Sequence, residues 1–436
     1  MFSAAGSRLC RGTRSRRHIL PLVIRMPIKW KSSGKFKPAL VLARIAAVRT
    51  VNPTGGASYA GFELEECLPT LHSMLDFPQA AAEVDVQSLA WRALSHIGHD
   101  LTPDTFLDAI NRTLSEQLAV RESKYTLLTS LSLDPNGLPK TQTILDCRIQ
   151  FHATGYPHRF SSRAALLRQH PADVAETPRS YACVTAEVQA KSDGAAFGKA
   201  MRAVDVFRAL LCLMGNPRMQ FSFGSSSLEP VNVIRLGGKH TVHTADGAGA
   251  RDGIWYEPGF APTKPYQFSK PDIVTKNYRW ALRRIGRSRY RESLISSLLR
   301  FVRALDQSDP NLAFLRLWSA LETLTTPGAA DYDKLIHRSA FLFKENDYHR
   351  QVLEHLRVYR NANVHAGEES DNARTYCYQL QMYYVNAAWF YIRNALRFSS
   401  LEAANEFLDL PPDLAELKRR AAIVRTAIRF ASPIAA

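Results

Sequence analysis

The chain has 436 residues, 46% of them hydrophobic and 22% charged, which excludes a disordered or fibrous class and leaves room for two or three domains with their own cores. The net charge of +16 is uneven: residues 1–50 hold twelve Lys/Arg and no acid, and taking those from the total of 56 leaves 44 basic against 40 acidic side chains, a net of +4 for the rest. Six scattered cysteines without a C-x-x-C pair argue against a zinc ribbon and a disulfide framework, and no apolar run reaches the roughly 18 residues of a membrane span, so the expectation is a cytoplasmic protein with reduced thiols and no membrane partner.

Residues 1–50 are basic and weakly patterned. Three readings stand for them: an over-extended start with the true one at Met26, a flexible basic arm, or an organelle transit sequence. The apolar run Ile19 to Ile24 is too short for a secretory core and is interrupted by Pro21.

Residues 51–270 are expected to form an α+β domain with a sensor or regulatory role. Tyr125 to Leu133 and Thr141 to Phe151 alternate apolar and polar residues on either side of Asp134-Pro135-Asn136-Gly137, which predicts a hairpin with one buried face. Tyr181 to Gln189 reads as a strand. Ser192-Asp193-Gly194 then opens a helix bearing Phe197, Met201, Val204, Phe207, Leu211 and Met214. Val231 to Thr244 reads as a second hairpin folded at Gly237-Gly238, and Ala245 to Ala261 as an exposed loop.

Residues 271–436 change to helix after helix, giving an all-α bundle. Leu294, Leu298, Phe301 and Leu305 stripe one helix, and Asp309-Pro310 is a start signal for the next, which Pro327-Gly328 ends. A short helix near Asp331 to Lys344 follows. Ser370-Asp371 opens a long helix with Tyr376, Leu380, Tyr383, Ala387, Tyr391 and Ala395 on one side, a core or a dimer interface. The last helix, about Asp413 to Ala431, carries Lys418, Arg419, Arg420 and Arg425 as a peripheral arm.

Between these lies an amphipathic helix beginning near Asn346 and stopped by Gly367. Leu353, Leu356, Arg360 and Val364 share one face, so a permanent cation interrupts the packing stripe and requires a carboxylate, water or an anionic ligand. Asn361 and His365, four apart, share the neighbouring face. Cation, amide and imidazole together are what metal-free phosphodiester chemistry needs: the guanidinium holds non-bridging oxygens, the imidazole moves a proton near neutral pH, and the amide orients either partner. The bland reading is an arginine paired with a core glutamate beside a histidine that caps the helix. Glu322, four residues after Trp318, is the glutamate expected to meet Arg360.

Arg360-Asn361, three further residues and His365 resemble the arginine, polar residue, three residues, histidine signature of HEPN ribonucleases. Leu317-Trp318-Ser319-Ala320-Leu321-Glu322-Thr323-Leu324 looks like the second-helix signature of the Apea-like HEPN group, linked to abortive phage resistance. The resemblance covers about residues 285–400. It implies a helical bundle that dimerises with two motifs facing one cleft and cuts RNA without metal or cofactor. In that scheme Arg360, Asn361 and His365 are catalytic, Glu322 supports them, and an antitoxin or a phage-derived trigger is a further partner. Gly367 stands where some toxin members carry tyrosine, which argues against that branch. The alternative is a non-catalytic HEPN module that binds nucleotide, RNA or a protein, and a third reading is a DNA-binding regulator using the basic arm.

Other constellations are weaker. His96 and His99, three apart and followed by Asp100, are interrupted by Gly98 and have no further ligand cluster with them, and His240 and His243 sit at odd spacing on an extended run, so they face opposite ways. Gly247 to Gly253 fails the dinucleotide glycine spacing, and there is no P-loop or nucleophile-elbow serine.

Overall fold

The computed structural model describes residues 27–51, 57–98, 100–170, 174–220, 229–328 and 331–431. The chain divides into two compact units, residues 1–122 and 123–436.

The first unit runs β1 (Lys29–Trp30), α1 (Pro38–Ala47), β2 (Arg49–Val51), β3 (Ala57–Tyr59), α2 (Glu63–Met74), β4 (Leu75–Asp76), α3 (Val86–His96) and α4 (Pro103–Ala119). α4 starts cleanly because Thr102 and Thr105 form a reciprocal capping box ahead of Pro103. Its Phe106, Ile110 and Leu114 recur every four residues and are fully buried against Leu42, Ile45, Leu71 and Leu94. Asn111 on α4 also holds the chain at Ile28, accepting its N–H at 2.8 Å and donating to its carbonyl at 3.1 Å. Ile28, Leu42 and Ile45 are therefore part of this core, so residues 27–50 do not form a free basic arm. Residues 1–26 lie outside the described residues.

The second unit runs β5 (Ser123–Leu131), β6 (Thr141–Ile144), β7 (Cys147–His152), α5 (Ser162–Gln169), β8 (Ala182–Ala190), α6 (Asp193–Gly215), β9 (Lys239–Thr244) and β10 (Trp255–Tyr256). It continues through α7 (Pro271–Arg287), α8 (Arg291–Leu305), α9 (Pro310–Thr325), α10 (Tyr332–Ala340), α11 (Asn346–Ala366), α12 (Ala373–Arg393), α13 (Leu401–Leu408) and α14 (Leu414–Ala431). An α+β region is thus followed by a helical one. The strands form a six-stranded antiparallel sheet in the order β10-β9-β5-β8-β7-β6.

Both predicted hairpins are corrected. β5 pairs with β8, Leu127 opposite Ala186, and with β9, Leu127 opposite Val242. The run Thr141 to Phe151 is a hairpin by itself, because Leu145 and Asp146 take positive φ and reverse the chain between β6 and β7. Gly237-Gly238 is no hairpin turn. Residues 245–261 are more than an exposed loop: they carry β10, whose Trp255 stacks on Phe197 at 4.4 Å.

α6 opens at Ser192, whose hydroxyl accepts the Ala195 N–H, and is apolar nearly all round because it is covered on several sides. It packs on β8 and on α8, so sheet and helices share one continuous core and the change of pattern at residue 271 is not a packing boundary. A buried polar network crosses that core. Arg208 meets Asp205 and Asp306, each at 2.8 Å; Arg303 meets Asp205 at 2.6 Å and Glu257 at 2.7 Å; and Glu257 meets His240 at 3.2 Å. Among the helices, Phe301 and Tyr384 stack at 4.4 Å, and the aromatic side of α12 is core. Among the described residues no helix is long and apolar enough to cross a membrane.

Candidate functional site

α11 brings Arg360, Asn361 and His365 to its last two turns. The helix is seated by Leu353 and Leu356, both fully buried, and then by Tyr359, whose ring lies 4.9 Å from those of Phe314 and Tyr376. The Tyr359 hydroxyl donates to Asn311 Oδ1, and the same oxygen accepts the Ser370 N–H at 3.1 Å. Burial pushes this phenol up to about 12, so it stays a donor at neutral pH. One side chain at the start of α9 thereby fixes both the end of the motif helix and the loop that follows it.

With Tyr359 inward, Arg360 points along the neighbouring face and is half-buried. Its Cζ lies 4.8 Å from the centroid of the Tyr332 ring, and its Nη1 donates to Asn361 Oδ1 at 3.3 Å. Tyr332 packs edge-on against Trp318, so the surface beneath the guanidinium is rigid. Among the described residues no carboxylate lies within ion-pair distance of Arg360. Arg357, three residues earlier, is occupied: it holds Asp333 at 2.6 Å and Glu354 at 2.9 Å.

Glu322 does not take the place expected of it. Its Oε1 accepts the Trp318 indole N–H at 3.0 Å, the contact that their i, i+4 spacing on α9 allows. Burial raises its pKa, and the Arg360 charge, acting through space, is the first influence opposing that rise. Tyr332 was not anticipated as the partner of Arg360. An aromatic at the first position of a short helix was the available signal.

His365 is exposed on the final turn, and among the described residues it makes no hydrogen bond or ion pair. It is not the cap. Gly367 takes φ +67°, its N–H donates to the Asn363 carbonyl at 3.0 Å, and the Asn363 side chain donates to the Glu368 carbonyl at 2.6 Å. Val364 is 46% exposed, which corrects its expected place on the packing stripe: the buried face of α11 is Leu353, Leu356 and Tyr359, and the last turn lies at the surface of the described residues. The arrangement supplies a held cation, an amide in contact with it, and an exposed imidazole. The cavities at residues 135–158, 326–406, 230–307, 333–354 and 422–430 are lined by none of these three residues.

The sheet histidines are occupied elsewhere. On opposite faces of β9, His240 bonds Thr129 and Glu257, and His243 bonds Thr241 and the Gly247 carbonyl. No metal-binding cluster occurs among the described residues, and His99 lies outside them.

Comparison with protein-family models, with curated proteins and with solved structures gives no match. What the chain offers to a functional reading is its class, an antiparallel sheet fused to a helical half, and the cation, amide and imidazole set on α11.

Proposed function

We propose that this protein is a metal-independent endoribonuclease of the HEPN type, acting in the cytoplasm as part of a prokaryotic antiviral, abortive-infection defence. The observation that carries the reading is Arg360: a half-buried guanidinium seated on Tyr332, with no carboxylate at ion-pair distance among the described residues. Such a group is prepared for an anionic ligand, and its planar fork suits a phosphate.

In the reaction, a ribose 2′-hydroxyl attacks the adjacent phosphorus. His365 moves the proton between the attacking hydroxyl and the leaving 5′-oxygen, and Arg360 holds the non-bridging oxygens as charge builds on them. Asn361, already bonded to Arg360, orients that fork. Glu322 contributes through space. Because the last turn of α11 is uncovered, pairing of two helical halves would supply the missing wall and bring two motifs to one RNA strand. The sheet would receive the activating signal, from a phage-derived trigger or by release of an antitoxin.

The end groups of the RNA products test this. In the presence of a chelator the purified protein is expected to leave a cyclic 2′,3′-phosphate upstream and a 5′-hydroxyl downstream; a 5′-phosphate product, or cleavage only on adding a divalent metal, overturns the mechanism. One observation favours a second reading, a non-catalytic module binding nucleotide, RNA or protein: His365 is exposed and, among the described residues, no hydrogen bond or ion pair holds its imidazole in place for proton transfer. That reading predicts RNA binding that depends on Arg360 with no cleavage under any condition.

A further inference from the structure

A groove lies where β7 leaves the sheet. After His152 the chain loops through residues 153–157, and the segment leading into β6 lies against that loop, giving an open cavity of about 580 Å³. This is within the size range of small-molecule sites, and well above what a bare inorganic anion fills. Its lining includes Lys140, His152 and His158 and contains no carboxylate.

Several donors on this lining meet no partner among the described residues. His152 uses Nε2 on the Thr185 hydroxyl at 2.9 Å, which leaves Nδ1 for a ligand. The N–H groups of Ala153, Thr154 and Gly155 meet no acceptor among the described residues. Gly155 sits at φ +102°, and a Cβ placed on it would meet nothing within 4 Å, so the loop presents bare backbone to open space. Burial first, then the charges of Lys140 and Arg159, hold the His152 imidazole below its usual range, which puts both cations within electrostatic reach of it. Apolar side chains complete the lining: Leu138 is one, and Tyr156 is locked by donating its hydroxyl to the Thr129 carbonyl at 2.6 Å with Arg163 stacked 4.9 Å from its ring.

Several convergent donors without an acid define an anion site, and the apolar side chains define room for an organic body. We propose that this groove binds a phosphorylated small molecule of mononucleotide size, its phosphate on Lys140, His152 Nδ1 and the 153–155 amides and its organic part against Leu138 and Tyr156. The site uses none of the α11 residues, so it stands or falls apart from the nuclease reading. The same chemistry is carried by a free mononucleotide and by the terminal phosphate of an RNA fragment.

Calorimetric titration of the full chain tests it, with AMP, adenosine, inorganic phosphate and a 5′-phosphorylated RNA trinucleotide as probes. AMP is expected to bind, adenosine and inorganic phosphate each at least about tenfold more weakly, as loss of one charged contact or of the apolar one implies. Binding of the trinucleotide tighter than AMP supports the site and assigns the source to an RNA end. Lys140→Glu, an exposed substitution, is expected to weaken AMP by about tenfold or more, whereas Arg360→Ala leaves AMP binding as it was. The proposal is overturned if AMP, GMP, CMP and UMP all fail to bind at millimolar concentration. It is equally overturned if phosphate matches AMP, or if Arg360→Ala rather than Lys140→Glu abolishes binding.

Discussion

The Arg360 guanidinium rests 4.8 Å from the centre of the Tyr332 ring, so the residue that orients the proposed phosphate grip is an aromatic of α10 and not the carboxylate of Glu322. A ring holds a cation in place without neutralising it, whereas a carboxylate at ion-pair distance would already have answered its charge.

Tyr332→Leu removes the ring and keeps an apolar side chain. The expected loss of stability is small, about 1 kcal/mol for a half-buried cation–ring contact, while the guanidinium loses its fixed direction. RNA cleavage, or RNA affinity if cleavage is absent, is expected to fall severalfold more than that stability change implies. Glu322→Gln, which keeps a hydrogen-bond acceptor for Trp318, is expected to change both far less. Initial rates on a labelled RNA and thermal melting of the same samples read the comparison.

Arg208 ties the sheet to the helices. Fully buried, it reaches Asp205, Asp306 and the Ile234 carbonyl. Arg208→Met is expected to cost about 3–5 kcal/mol, the consequence of leaving buried carboxylates without their partner. The lower end is favoured, because Arg303 still holds Asp205 and Asn232 still donates to Asp306. Urea denaturation gives the difference directly. A loss under about 1 kcal/mol would mean that the network adds little to folding.

The same network sets a pH dependence. His240 is held below its usual range by burial; Glu257, which burial alone would raise, is brought down to about 2 from 4.5, chiefly by the His240 hydrogen bond and the Arg303 charge. Both groups bind protons more readily unfolded than folded, so the stability they contribute is complete above about pH 6.5 and is lost as pH falls. The loss begins with His240 below that point and continues with Glu257 from 4.5 toward about 2. Denaturation midpoints should decline on acidification through this range, and Glu257→Gln should flatten the part below 4.5. A midpoint that is level or rises on acidification contradicts the assignment.

Local signals were readable in the sequence. The Asp309-Pro310 start, the Ser192 cap and the Gly367 stop each depend on residues within one turn of one another, and each stands where the pattern put it. Pairing across the sheet was not readable: Tyr125 to Leu131 finds its partners about sixty and about a hundred and twenty residues on, and alternation alone says nothing of which strand lies alongside. Composition misled at the N-terminus, since the charge run hides Leu42 and Ile45, two fully buried anchors of α1. Within the candidate site the three residues of the motif were legible, but the choice between Tyr332 and Glu322 as the support of Arg360 was not. It depends on how Tyr359 rotates α11, through a bond to Asn311 that lies 48 residues away.

The most direct test is the rate at which purified protein and its His365→Ala variant cut RNA in the presence of a chelator. His365 is exposed and makes no contact that the fold needs, so the variant is expected to melt as the parent does. Loss of the proton carrier is expected to slow cleavage by about 10²–10⁴-fold. A variant that cuts as fast as the parent would contradict the account of this site.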